Sequence, residues 1–181
     1  IVLAQLVQEG TPIVVRGGRV PMVDMKTMLA LFADPGNRIF SSEMGHFYNL
    51  PTFGTAGVTD SKRMDWQATA EGALTLLADT LIGANLIHDV GYIESGVTFS
   101  SEMLVVCEEI ISWMKAFKTG IPVNEDTLAL DLIDKFGLDG DFLTTEHTYE
   151  HFREQWQPTI FDRKVYQEDQ HSKDSNLQYS V

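Results

Sequence analysis

The chain has 181 residues, 44% of them hydrophobic and 22% charged, which suits one globular domain with a real core. Its formal net charge of −13 argues against nucleic acid or an anionic membrane as partner, because both require a basic face. One cysteine, Cys107, cannot close an internal disulfide. Together with the lack of an apolar run of spanning length or of a signal peptide pattern, it leads to the expectation of a cytoplasmic protein.

Residues 2–8 read as the end of a helix closed by Gly10. An apolar helical pattern is already under way at Ile1, as expected of a piece of something longer. The β-branched run after Pro12 predicts a strand over 13–16, leading into Arg16-Gly17-Gly18. The Met- and Leu-rich stretch 24–32 suggests a short helix. Asn37 is a candidate N-cap for a helix over 38–48 that stops before Pro51. A second strand is expected over 51–56, with a Gly-rich end. Trp66, Ala70, Ala73, Leu74, Leu77, Ala78 and Leu81 recur by three and four and predict the clearest helix, stopped at Gly83. A third strand follows at once, over 84–88. Ser100 or Ser101 caps a helix to about Lys118, with Cys107 inside it as a buried thiol. Asn124 caps another helix that ends at Gly137, and Thr144 or Thr145 starts one running towards Gln155. Residues 168–181 are polar and aperiodic and read as a disordered tail, set apart from a body over 1–167.

Strands alternating with helices imply parallel pairing. Three strands cannot close a barrel, which takes eight. The α/β chain is therefore either a small open sheet or the carboxyl-terminal part of a larger (β/α)8 barrel. In both, chemistry gathers at the carboxyl ends of the strands. The third strand ends in His88 and Asp89, followed by Tyr92 and Glu94. Adjacent residues of a strand point to opposite sides, yet both can reach a site at a rim. The second strand ends in the small-residue loop 54–62, which has neither dinucleotide nor P-loop spacing and would let a ligand approach its backbone. Asp60 and Lys62 close that loop. Phe53 and Tyr92 are aromatics at strand ends, suited to holding a quaternary ammonium, with Glu94 a source of negative charge. Trp113, mid-helix, reads as core. His147 and His151 share a helix face, but Glu150 stands before His151 rather than after His147, unlike the zinc-protease pattern, so no metal ligand is assigned.

The residues from Leu50 to Lys62, with Asp65, Gln67 and Ala68, and from Gly83 to Tyr92 resemble the trimethylamine methyltransferase family. Phe142-Leu143, His147-Thr148 and Asp162-Arg163 also fit, and the resemblance extends to about Gln167. It implies that the chain is the carboxyl-terminal portion of a (β/α)8 barrel. It also implies methyl transfer from a methylated amine to the cobalt of a separate corrinoid (cobalamin) protein, with no cofactor bound directly and a homo-oligomer expected. Members that act on trimethylamine carry pyrrolysine, and these residues contain none. Members without it are similar to glycine betaine methyltransferases, so a quaternary amine such as a betaine is the expected donor. On this reading His88, Asp89, Asp60 and Lys62 carry the reaction, and Tyr92, Phe53 and Glu94 bind substrate. The rival readings are a non-catalytic fragment or interaction module, and a barrel enzyme of other chemistry with His88 and Asp89 as acid–base residues.

Overall fold

The computed structural model describes residues 1–15 and 22–165. The expected Arg16-Gly17-Gly18 loop and the expected tail lie outside them. The order of elements is α1 (Val2–Val7), α2 (Gly36–Phe47), β1 (Phe53–Thr55), α3 (Trp66–Ile82), β2 (Leu86–His88), β3 (Tyr92–Ile93), β4 (Thr98–Phe99), α4 (Ser101–Thr119), α5 (Glu125–Leu128), α6 (Leu130–Phe136) and α7 (Glu146–His151).

β1 and β2 pair in parallel, with Phe53 opposite Leu86, Gly54 opposite Ile87 and Thr55 opposite His88. The first predicted strand shrinks to a single parallel bridge between Val15 and Thr52. Its bonds run from Val15 N–H to Pro51 O at 2.8 Å and from Phe53 N–H to Val15 O at 3.1 Å. β3 and β4 form a small antiparallel hairpin, with Tyr92 opposite Phe99. The result is mixed helix and strand, with one small parallel and one small antiparallel sheet among the described residues.

Local chemistry explains most boundaries. Asp65 caps α3 by accepting from Ala68 N–H at 2.9 Å, and Gly83 ends it in a left-handed conformation. Ser100 caps α4 through Met103 N–H. Asn124 and Thr127 form a reciprocal capping box at α5, which satisfies two otherwise orphaned donors.

Four helix predictions need correction. Residues 24–32 form no helix: Asp24 accepts from Lys26 N–H and the Thr27 hydroxyl, and this side-chain turn competes with helical bonding. An antiparallel bridge from Val23 to Ala30 follows from the turn. α2 begins at Gly36, with Pro35 rather than Asn37 in the cap position. The helix expected between Asn124 and Gly137 breaks at Ala129, which sits at φ 47°. α7 ends at His151, short of Gln155.

The core lies where α3 and α4 cross over the end of β1. It contains Ala56, Ala68, Leu76, Ile93, Met103, Cys107, Ile110 and Met114. Only part of the predicted apolar stripe of α3 faces the core: Ala73 and Leu77 pack against it half-buried, but Trp66, Leu74 and Leu81 are exposed, whereas Ala68, Gly72, Thr75, Leu76 and Asp79 are buried. Small residues face inward because α4 comes close. A Cβ on Gly72 would strike the terminal methyl of Met103. Trp113 is also not core. It is 44% exposed and stacks on Phe117 with ring centroids 5.6 Å apart.

Candidate functional site

The site is built on the paired ends of β1 and β2. The register sets Thr55 beside His88, and the Thr55 hydroxyl lies 3.1 Å from His88 Nε2. On the other side of the ring, Nδ1 is 2.7 Å from Asp89 Oδ1. With Nδ1–H given to Asp89, Nε2 is left to accept from Thr55, so both ring nitrogens have defined partners. The flat face of the imidazole stacks on Phe53, with centroids 4.1 Å apart and planes 9° apart. His88 and Asp89 remain 27% and 29% exposed, so the cluster is held from within yet open to a ligand.

The expectation that His88 and Asp89 point apart fails for a local reason. Asp89 leaves the strand with φ 64°, so alternation no longer applies and its carboxylate turns back onto His88. Aspartate tolerates this region better than most residues with a Cβ. Such backbone is found where a site is held in place by its surroundings.

The two loops after the strands run side by side. Ala56 N–H donates to His88 O, Gly91 N–H to Gly57 O, Thr59 N–H to Tyr92 O and Glu94 N–H to Ser61 O, at 2.7–3.2 Å. This places Asp60 and Lys62 in the loop beside Tyr92 and Glu94. Their side chains are engaged locally. Asp60 accepts from the Phe32 and Ala33 amides at 2.6 and 3.0 Å, and the Lys62 ammonium donates to Asp60 O at 2.8 Å. Glu94 accepts from the Thr98 hydroxyl at 2.6 Å, and Tyr92 meets Phe99 edge to face. The structure therefore gathers Phe53, Thr55, His88 and Asp89 into one cluster and puts the other four in its rim.

The small residues of the 54–62 loop admit close packing by Val90 and by α3 and α4. A Cβ on Gly57 would stand 3.0 Å from Val90 Cγ1 and 3.3 Å from Cys107 Sγ. Thr75 on α3 accepts from Gly57 N–H, and the Cys107 thiol donates to Gly57 O. Burial pushes that thiol up to about 11, which keeps it protonated and inert.

The family model for trimethylamine methyltransferase matches residues 1–176, nearly the whole chain. The chain belongs to the trimethylamine methyltransferase family. The match runs past Gln167, where the resemblance was expected to end. The chain is 37% identical over 168 residues to trimethylamine methyltransferase MttB of Desulfitobacterium hafniense, covering 91% of the chain and 34% of that relative. Its identity to MttB of Methanosarcina thermophila is 37% over 169 residues, covering 92% and 35%. With the glycine betaine methyltransferase of Desulfitobacterium hafniense strain Y51 it shares 34% over 171 residues, covering 92% and 36%. The chain thus spans about a third of the length of these relatives. Among its described residues no helix is long and apolar enough to cross a membrane.

Sequence reasoning missed two organising residues of this candidate site. In sequence Thr55 is one more small loop residue, and only the strand register pairs it with His88. Glu71 accepts from the Thr59 hydroxyl and Asp60 N–H at 2.6 and 2.8 Å and so fixes the loop carrying Asp60. It also missed Asp126. The Asp126 carboxylate lies 3.2 Å from His151 Nε2, while His151 Nδ1 bonds Glu154 at 2.9 Å. The bond to Glu154, with the nearby carboxylates, raises the basicity of His151.

Proposed function

We propose that this chain forms the carboxyl-terminal part of a (β/α)8 barrel that moves a methyl group from a quaternary amine such as a betaine to the cobalt of a separate corrinoid protein. The observation that carries the proposal is the Phe53–His88–Asp89 cluster at the ends of two parallel strands in a member of this family. Such strand ends are where barrel enzymes assemble their sites. Trp66, Leu74, Leu81 and Leu86 stay exposed, and the rest of a barrel would cover apolar surface of this kind.

The corrinoid acceptor supplies a nucleophilic reduced cobalt. A quaternary amine already carries its leaving group as a neutral tertiary amine, so no proton has to be delivered. This chain's residues then have the tasks of holding, orienting and drying the cation. The stacked rings of Phe53 and His88 offer a flat wall, and Tyr92 a second aromatic face, with about 0.5–2 kcal/mol available from each well-placed cation–π contact. Asp89 balances the ammonium charge and fixes the His88 ring. Glu94 adds negative charge at the rim. Asp60 and Lys62 act by positioning, since Asp60 ties the loop to residues 32–33. Lys62, at the surface, meets a substrate carboxylate or an acidic group of a partner.

The test is methylation of cob(I)alamin by the full-length protein across a panel of methylated amines. Glycine betaine or another quaternary amine should be demethylated. His88→Ala should lower the rate about 10²-fold, as loss of orientation does, and Asp89→Ala should follow it, with melting temperatures nearly unchanged. Failure of every amine to methylate cob(I)alamin would overturn the proposal. Variants that lose stability but keep full turnover per folded molecule would move the site elsewhere.

A further inference from the structure

Outside the strand-end cluster, one group of side chains among the described residues has the composition and spacing of a metal site. Helix α7 sets His147 and His151 one turn apart on one face, with ring centroids 4.4 Å apart. The capping box at Asn124 and Thr127 fixes the turn that carries Asp126. One Asp126 carboxylate oxygen is 3.2 Å from His151 Nε2 and the other 3.9 Å from His147 Nε2. The donor atoms all lie within 4.8 Å of one another. A tetrahedral zinc ion with bonds of about 2.0–2.1 Å holds its ligand atoms about 3.4 Å apart. The two histidine–carboxylate separations, one to each oxygen of Asp126, lie on either side of that value.

We propose that Asp126, His147 and His151 bind a divalent ion of the zinc class. Two imidazoles and one carboxylate suit a late first-row ion better than magnesium or calcium, which prefer all-oxygen sites. The outer partner is also present. His151 Nδ1 donates to Glu154 at 2.9 Å, the carboxylate–histidine arrangement that turns the other nitrogen towards a metal. That leaves Nε2 and the Asp126 carboxylate facing each other as two acceptors, which requires a cation between them or a proton on the ring. A proton serves His151 alone. A divalent ion serves His147 as well, whose Nε2 lies 2.9 Å from Asp126 O. Three protein ligands leave a fourth position. His147 and His151 line an open cleft with Thr127, Trp156 and Arg163, so that position takes water or a small anion drawn by Arg163.

The test uses tag-free, full-length protein stripped with a chelator and then equilibrated with Co²⁺. The expected result is a visible four-coordinate cobalt spectrum that Zn²⁺ displaces, with one site-dependent ion retained per chain. His147→Ala and His151→Ala should abolish it, and Glu154→Gln should weaken zinc binding roughly 10–100-fold. Circular dichroism checks that each variant is folded. Should a histidine variant unfold, Asp126→Asn replaces it, because Asp126 is exposed. Retention of no ion, or the same cobalt spectrum and stoichiometry in folded variants, would overturn the proposal and leave His151 as a hydrogen-bonded neighbour of two carboxylates.

Discussion

Residues 52–95 and residues 120–165 both use polar side chains to hold backbone, but at different densities. In the first region Thr55, Asp60, Glu71 and Thr75 bond neighbouring loops that already share a ladder of main-chain hydrogen bonds. Close helix packing over Gly57 and Gly72 removes the remaining freedom. In the second, short helices with no buried residues lead into a segment that a few isolated pins tie to α4. Glu109 is 3% exposed and accepts from the Thr159 amide and hydroxyl and from the Ile160 and Phe161 amides. The Trp156 indole donates to Ser112 at 2.8 Å. A region held by packing should fail as a whole, while a region held by pins should open one pin at a time.

The sharpest way to break that contrast is Gly57→Val. The backbone there sits at φ 69°, which costs a residue with a Cβ about 1–2 kcal/mol. Crowding against Val90 and Cys107 adds about 1–3 kcal/mol. Urea denaturation should show the whole domain destabilised by about 2–5 kcal/mol on these two grounds. A loss below about 1 kcal/mol, the ordinary size for a point substitution, would mean the junction is looser than described. Asp65→Ala should cost about 1 kcal/mol through loss of the α3 cap, read by the same titration, with Asp65→Asn retaining most of it.

The smallest global effect belongs to the pins. Glu109→Gln should speed amide hydrogen exchange at Thr159, Ile160 and Phe161 while leaving amides near Leu76 unchanged. Acid should act in the same way. The Thr159 hydroxyl, opposed by burial and helped by the 159–161 amides, holds the Glu109 carboxyl below its ordinary 4.5. A depressed carboxyl contributes fully above its unfolded value and loses that contribution as pH falls through the folded one. Exchange at 159–161 should therefore rise below pH 4.5, and the Glu109→Gln variant should lack that pH step. Opening of the two regions together would merge them into one cooperative unit.

Caps and strand ends were legible because their signals are local. Ser100, Asn124 and Thr145 bond amides three residues on, and Gly83 and Gly137 stop helices next to where the apolar pattern ends. The adjacency of the 54–62 and 88–94 loops followed from parallel pairing alone. What stayed hidden depends on partners far along the chain. The buried face of α3 is set by how closely α4 approaches, so the spacing of Trp66, Leu74 and Leu81 pointed to the wrong side. Asp89 was misplaced because one left-handed residue ends the alternation of a strand. Asp126 stands 21 residues from His147, and no short motif spans that interval.

Cys107 gives the junction a built-in clock. The chain has one cysteine, fully buried against Gly57, with a thiol that stays protonated at neutral pH. A thiol-directed reagent can reach it only while α4 is lifted from the loop after β1. In any version of the protein in which other cysteines are absent or already blocked, the labelling rate counts those openings one by one.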